Sequence, residues 1–183
     1  VANGKVLAET PFSDLYIPSV PDASGGCLGA AFYLYHQIQG NPRSFVLESN
    51  YLGPGFDASE IEQTLNRYKL RYQTLSHPAK TAAELIAAGK IIGWFQGRLE
   101  FGDRALGNRS ILADPRDASM KDKVNASIKY REAFRPFAPS ILAEQLEEYF
   151  IDAAPTPFME KVSMIREEKR SVIPAVTHVD GSG

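Results

Sequence analysis

The sequence predicts an α/β fold, and three observations carry that expectation. A helix signal beginning at Thr81-Ala82-Ala83-Glu84 and stopping at Gly89 runs directly into the apolar stretch Lys90 to Gln96, which reads as a buried strand. A second helix start, Asp57-Ala58-Ser59-Glu60, has the spacing of a capping box. Short candidate strands then alternate with helical patterns through the C-terminal half, which is the rhythm of an α/β domain.

Taken in order, residues 1–20 read as two short extended pieces split by the turn Pro11-Phe12-Ser13-Asp14, followed by the loop Pro21 to Gly26. Leu28, Ala31, Phe32, Tyr35 and Ile38 recur at helical spacing, predicting a helix from Leu28 to Gln39 that ends at Gly40. Gly40 to Gly55 is rich in turn residues and serves as a linker, with a domain boundary placed near Val46 to Tyr51. The helix starting at Asp57 would turn Ile61 and Leu65 inward, and Tyr68 to Leu75 reads as a strand. Asp117 to Lys129 places Met120, Val124 and Ile128 four apart, an inner helical face with Lys121, Lys123, Asn125 and Lys129 around the rest. Ser140 to Leu142, Val162 to Ile165 and Ala175 to Val179 are further candidate strands, with a helix from Ala143 to Phe150. No internal repeat or low-complexity tract interrupts the pattern.

A chain of 183 residues with 44% hydrophobic content can bury a substantial core in one or two domains. Its single cysteine, Cys27, excludes an internal disulfide framework and reads as a small core residue. No apolar run approaches membrane-spanning length and no secretory signal precedes the first elements, so a cytoplasmic location is the expectation. The net charge of −2 points to neither nucleic acid nor an anionic membrane. The start on Val1 without an initiator methionine and the stop in Asp180-Gly181-Ser182-Gly183 are read as cut ends of a longer protein.

Charge is nevertheless polarised along the sequence. Between Gly97 and Ala138 the chain carries +3, against −5 for the remainder. Arg98, Arg104, Arg109, Arg116, Lys121, Lys123, Lys129, Arg131 and Arg135 supply the cations. Guanidinium groups offer fixed forks of donors suited to phosphate and carboxylate, and lysine adds a movable point charge. Arg98 follows the apolar strand signal and has Gly97, Gly102 and Gly107 around it, which allow a backbone to approach a ligand closely. Arg131 and Arg135 lie among Tyr130, Phe134, Pro136, Phe137 and Pro139, in a stretch too rich in proline for a helix. A solvated charged surface is the competing reading of the same residues.

The run GWFQGRLEFGDRALGNRSILADPR, followed by KYREAFRPFAPSIL and IPAVTHVDGSG, resembles the C-terminal domain of the NodU/CmcH-type O-carbamoyltransferases, the group that includes the tobramycin carbamoyltransferase. VANGKV and PDASGGCLGAA are similar to the end of the preceding domain of those enzymes. The resemblance implies that residues 1–47 end a Kae1-like carbamoyl-transfer domain of the actin-like ATPase superfamily. Residues 48–183 would then form a YrdC-like domain, a mixed twisted sheet with helices, cut before its C-terminus. It implies two steps: carbamoyl-adenylate forms from carbamoyl phosphate and ATP with loss of pyrophosphate, and the carbamoyl group then passes to a hydroxyl of a small-molecule acceptor. It implies neither nucleic acid nor membrane as a partner.

Such chemistry needs fixed cations where charge builds on phosphorus and on the leaving pyrophosphate. On the resemblance, Lys129, Arg135 and Arg104 are the foremost catalytic candidates. Arg98, Arg109, Arg131, Ser110, Asn125, His178 and Asp180 are expected around the nucleotide and carbamoyl phosphate. Asp22 is the candidate ligand of a divalent metal, Mg or Fe, whose other ligands would lie upstream; Asn3 and Gly4 would border the nucleotide. The chain departs from the family at Pro21-Asp22-Ala23-Ser24-Gly25, where Gly-Asp-Ala-Gly-Gly is common, and after Gly181, where an arginine is usual.

Structural readings stand beside these. Arg109 could pair with Asp114 or Asp103, Arg116 reads as a loop salt bridge, Lys121 and Lys123 as exposed helix charges, and Glu100 as a group orienting Arg98 or Arg104. His36 reads as structural, and the three histidines, with His77 and His178, show no metal spacing. Two alternative functions remain at this stage: a YrdC-like RNA- or nucleotide-binding module, and a threonylcarbamoyl-adenylate synthase for tRNA modification.

Overall fold

The computed structural model describes residues 2–151 and 154–183, in a mixed α/β arrangement of helices and two small sheets. The α/β expectation holds at that level, and each sheet has two strands. Two compact units share the chain. One comprises Val1–Tyr16, Leu85–Ile92 and Ile111–Gly183, the other Ile17–Glu84 and Gly93–Ser110.

In the first unit, the extended start predicted by the sequence is replaced by a helix, α1 (Ala2–Glu9); Val1 lies outside the described residues. Alanine, leucine, lysine and glutamate dominate this run and no proline intervenes before Pro11, so helix propensity prevails. The Asn3 side-chain amide donates to the Glu160 carbonyl at 2.8 Å and ties α1 down.

The core of this unit gathers around Phe137, which packs against two buried clusters. One is Phe150, Ile165, Ile173 and Val176, the other Met120, Val124 and Ala175. The helix expected over 117–129 is present as α5 (Met120–Val124) continuing into a wider π-type turn, Asn125–Lys129. Met120 and Val124 are buried as expected, whereas Ile128 is exposed, because bonding from i to i+5 takes it off the inner face. The helix expected over 143–150 is a 3₁₀ turn, Ala143–Gln145, leading into α6 (Leu146–Tyr149). Phe150 leaves it to enter a short antiparallel pair in which Phe150 faces Ile165 and Ile151 faces Met164. The strand expected over 162–165 thus shortens to two residues. The expected strand over 175–179 is a 3₁₀ turn, Pro174–Val176, since Pro174 fixes φ and offers no N–H to a ladder. Residues 140–142, expected as a strand, take no regular structure among the described residues.

In the second unit, α2 (Gly25–Phe32) passes into a π-type turn, Tyr33–Ile38, and Gly40 at φ +70° ends it as the sequence predicts. The capping box is reciprocal. Asp57 Oδ1 accepts from the Glu60 N–H and Glu60 Oε2 from the Asp57 N–H, both at 2.9 Å, opening α3 (Ala58–Arg67). Its inner face is weaker than expected, because Ile61 is exposed. The next helix, α4 (Pro78–Ala87), starts in this unit, with Leu85 to Ala87 counted with the first, and begins a turn earlier than Thr81, since proline suits a first helical turn. The strand expected over 68–75 is irregular: Lys69 takes φ +54°, and Tyr68, Leu70, Tyr72 and Leu75 are all exposed, with no strand paired to them among the described residues. β1 (Ile92–Phe95) lies inside the predicted strand and forms a two-stranded sheet with β2 (Arg109–Leu112); of the sheet's residues, Ile92, Ile111 and Leu112 are counted with the first unit. Among the described residues no helix is long and apolar enough to cross a membrane.

Candidate functional site

The basic stretch divides between the two units, and in each the structure separates cations that are bound internally from cations that are not. In the first unit Tyr130 takes a left-handed conformation, φ +48° and ψ +49°, and turns the chain sharply after the π-type turn. Asn125, 1% exposed, stands at the centre of the loop that follows. Its Oδ1 accepts from Arg131 Nε at 2.6 Å and its Nδ2 donates to the Arg135 carbonyl at 3.1 Å. Arg131 Nη2 donates to the Pro136 carbonyl at 3.2 Å, and the guanidinium sits 4.4 Å from the centroid of the Phe137 ring. Burial, with the neighbouring charge of Arg135, lowers the pKa of Arg131. Lys129 and Arg135 contrast with it: both are exposed, and their side chains make no hydrogen bond or ion pair among the described residues.

His178 joins this loop from the C-terminal turn. Its Nε2 faces the Phe137 carbonyl at 3.2 Å and so carries a proton, while Nδ1 lies 3.1 Å from Ser182 Oγ, which donates to Asp180 Oδ1 at 2.7 Å. That hydroxyl, helped by the Ser182 N–H, holds the Asp180 carboxyl below its usual range. His178 and Asp180 are thus engaged with protein groups. The remaining cations pair locally: Arg116 with Asp114 at 2.6 Å, as the sequence predicts, Lys123 with Asp117 at 2.7 Å, and Lys121 with Asp122 at 3.6 Å. A cavity of about 420 Å³ in this unit is lined mainly by apolar groups, among them Leu112, Met120, Phe137 and Phe150. Lys121 and Asp114 reach its wall, and Lys129 and Arg135 do not.

In the second unit the glycine-rich loop after β1 is organised by Glu100, which is 5% exposed. Its Oε1 accepts from three backbone N–H groups, Leu106 at 2.6 Å, Asn108 at 2.8 Å and Arg109 at 3.3 Å. Burial pushes its pKa up, but the amides of Asn108, Leu106 and Arg109 prevail and hold it below the ordinary value. The expectation that Glu100 orients Arg98 or Arg104 is corrected by this geometry, since the carboxylate shapes backbone instead. A sequence signal for it exists: an acid placed ahead of Gly102 and Gly107 meets loop amides that need an acceptor. Gly102 at φ +99° lets the turn pass Val20, whose Cγ1 would lie 2.9 Å from an added Cβ.

Arg98 extends away from this loop, donating from Nε and Nη2 to the carbonyls of Gly53 and Leu52, each at 2.9 Å. Ser110 Oγ accepts from the Gly107 N–H at 3.0 Å. The Arg109 side chain is exposed and pairs with neither Asp103 nor Asp114, whereas Arg104 is half-buried and its charge reaches Asp22. The Ser24 hydroxyl and N–H hold the exposed Asp22 carboxyl below its usual range. Among the described residues no group of three or more His, Cys, Asp or Glu surrounds a common centre. The residues present therefore do not fit a metal site by themselves. His36 is structural as expected, with Nδ1 3.1 Å from the Asn41 carbonyl and its ring among Phe32, Tyr35 and Phe45. Cys27, expected in a core, is exposed, because α2 buries none of its residues.

Both loops lie within the part of the chain, residues 83–183, that matches the family model described as "Carbamoyltransferase C-terminus". The chain belongs to the carbamoyltransferase C-terminal family. It is 44% identical to the nodulation protein NolNO of Sinorhizobium fredii over 98% of this chain and 27% of that protein. It is 35% identical to the 3'-hydroxymethylcephem-O-carbamoyltransferase of Streptomyces clavuligerus, over 93% of this chain and 31% of that enzyme. Nodulation protein U of Bradyrhizobium diazoefficiens is 34% identical over 98% of this chain and 30% of its own length. The chain thus spans about a third of the length of the curated relatives it matches. In this chain the two loops carry cations within the matched region.

Proposed function

We propose that this chain is part of an enzyme that transfers a carbamoyl group to a hydroxyl of a small-molecule acceptor. In this reading residues 48–183 belong to the part that activates the carbamoyl group and residues 1–47 to the part that transfers it. Activation joins carbamate, released from carbamoyl phosphate by water with loss of inorganic phosphate, to the α-phosphorus of ATP. An oxygen of carbamate forms the new P–O bond, and the bond to pyrophosphate breaks. The acceptor oxygen then attacks the carbamoyl carbon, gives up its proton, and AMP leaves.

The observation that carries the reading is the state of Lys129 and Arg135. They are exposed cations at the end of the π-type turn and on the loop that follows, unpaired among the described residues, with Arg131 between them bonded through Nε and Nη2 to the loop itself. Unpaired cations held by a structured loop favour a polyanion, and charge neutralisation without a covalent enzyme intermediate is what phosphoryl chemistry asks of a protein. The relative that acts on 3'-hydroxymethylcephem supports a hydroxyl-bearing acceptor.

The test is pyrophosphate release from ATP by the full-length enzyme supplied with carbamoyl phosphate. Lys129→Ala and Arg135→Ala should each abolish release while the circular dichroism spectrum is retained. Release at the wild-type rate would remove those two residues from the site.

A further inference from the structure

On the reading of Lys129 and Arg135 as the anion-binding cations, the geometry points to a different task for their neighbours: Arg131 and Asn125 are positioning residues, a buckle that holds the 130–137 loop in its binding shape without meeting the ligand.

The loop begins with a tyrosine in the left-handed region, an unfavourable conformation for a residue with a Cβ, which persists only where surrounding contacts impose it. Those contacts converge on one buried amide. The Asn125 backbone carbonyl accepts from the N–H groups of Tyr130 and Arg131, and its side chain clasps Arg131 through Oδ1 and the Arg135 carbonyl through Nδ2. Arg131 closes the ring at the far end by donating to Pro136, with its guanidinium laid against Phe137. Phe137 is anchored in turn by the core and by His178. Of the side chains on this loop, Tyr130 and Phe134 are more than four-fifths exposed, and Lys129 and Arg135 also face solvent.

Three cations against a single acid, Glu132, stand within seven residues, so net repulsion would spread an unpinned loop. The Asn125 oxygen and the Pro136 carbonyl, both acceptors on the same guanidinium, oppose that spreading. The ordering cost of presenting two cations to an anion is thereby met before the anion arrives. Arg131 is the cation of the KYREAFR run whose Nε and Nη2 donate to the loop itself, so a positive charge in the motif does not by itself mark a ligand contact.

The experiment is an NMR titration of the full-length enzyme with inorganic tripolyphosphate, observing the arginine Nε–Hε signals. In the free protein Arg131 Hε should exchange slowly with solvent. It should stay in place as tripolyphosphate is added, while the Arg135 Nε–Hε signal moves. An Arg131 signal that shifts as far as that of Arg135 would overturn the buckle, and this measurement needs no variant to fold. As a second arm, Arg131→Met should weaken tripolyphosphate binding about tenfold in the wild-type background, with no further loss once Lys129 and Arg135 are both alanine. Equal losses in the two backgrounds would make Arg131 a direct contact and sink the proposal. If the Lys129→Ala, Arg135→Ala double variant binds tripolyphosphate as well as wild type, the functional reading of those cations is what fails.

Discussion

Replacing Glu100 by alanine removes the acceptor on which the 101–109 loop is built. Two of its three backbone bonds are short, 2.6 Å from Leu106 and 2.8 Å from Asn108, and the third, at 3.3 Å, is weak. Hydrogen bonds to a charged acceptor contribute about 1.5–3 kcal/mol each, so the two good ones amount to roughly 4 kcal/mol. Against this, Glu100 Oε2 is buried without a hydrogen-bond partner among the described residues, and its removal returns about 1–2 kcal/mol of desolvation cost. The expected net loss is about 2–3 kcal/mol, read as a lowered urea midpoint. Glu100→Gln keeps an acceptor oxygen but not the charge, and should lose about half as much. The pH dependence has a definite sign. The folded pKa lies below the ordinary value of 4.5, so the stabilisation is fully present above that value and is lost as pH falls through the lower, folded one. The gap between wild type and Glu100→Ala should therefore be wide at about pH 7 and narrow at about pH 3. A cost under about 1 kcal/mol, or a gap unchanged at the acid end, would refute the reasoning.

Two other perturbations read different parts of the molecule. Gly102→Ala forces an L side chain to φ +99° and a Cβ to within 2.9 Å of Val20 Cγ1, and should lower stability by about 1–3 kcal/mol, seen in the same urea experiment. The Lys123 ammonium, with the Ser119 hydroxyl and N–H, holds the Asp117 carboxyl at about 2. Lys123→Ala should move its carboxyl titration, followed by ¹³C NMR, up toward the ordinary 3.8, and a titration that does not move would show that the lysine is not the dominant partner.

The elements most legible in the sequence were those whose cause is local. The capping box at Asp57 and the glycine stops at Gly40 and Gly89 depend on residues within a few positions, and all three are where the pattern puts them. Strands fared worse, because a strand exists only if another lies beside it. Tyr68 to Leu75 has the composition of one and no partner among the described residues, while β2, with a short apolar run between an arginine and an aspartate, has little strand signature and is paired. Ile128 sits at the correct helical spacing but leaves the core because the helix widens ahead of it, a backbone event with no clear mark in the residues.

The family, the α/β class and the concentration of cations between Arg98 and Arg135 are properties of the sequence itself, since each is a matter of which residues occur and in what order. Which cations are used up internally is a tertiary matter. Arg98 meets carbonyls some 45 positions away, Arg131 folds back on Asn125, and Glu100 turns from a supposed partner of arginines into the acceptor for three amides. A side chain's charge is fixed by its chemistry, but its free donors depend on which carbonyls and amides folding brings within about 3 Å, a distance that sequence separation does not measure.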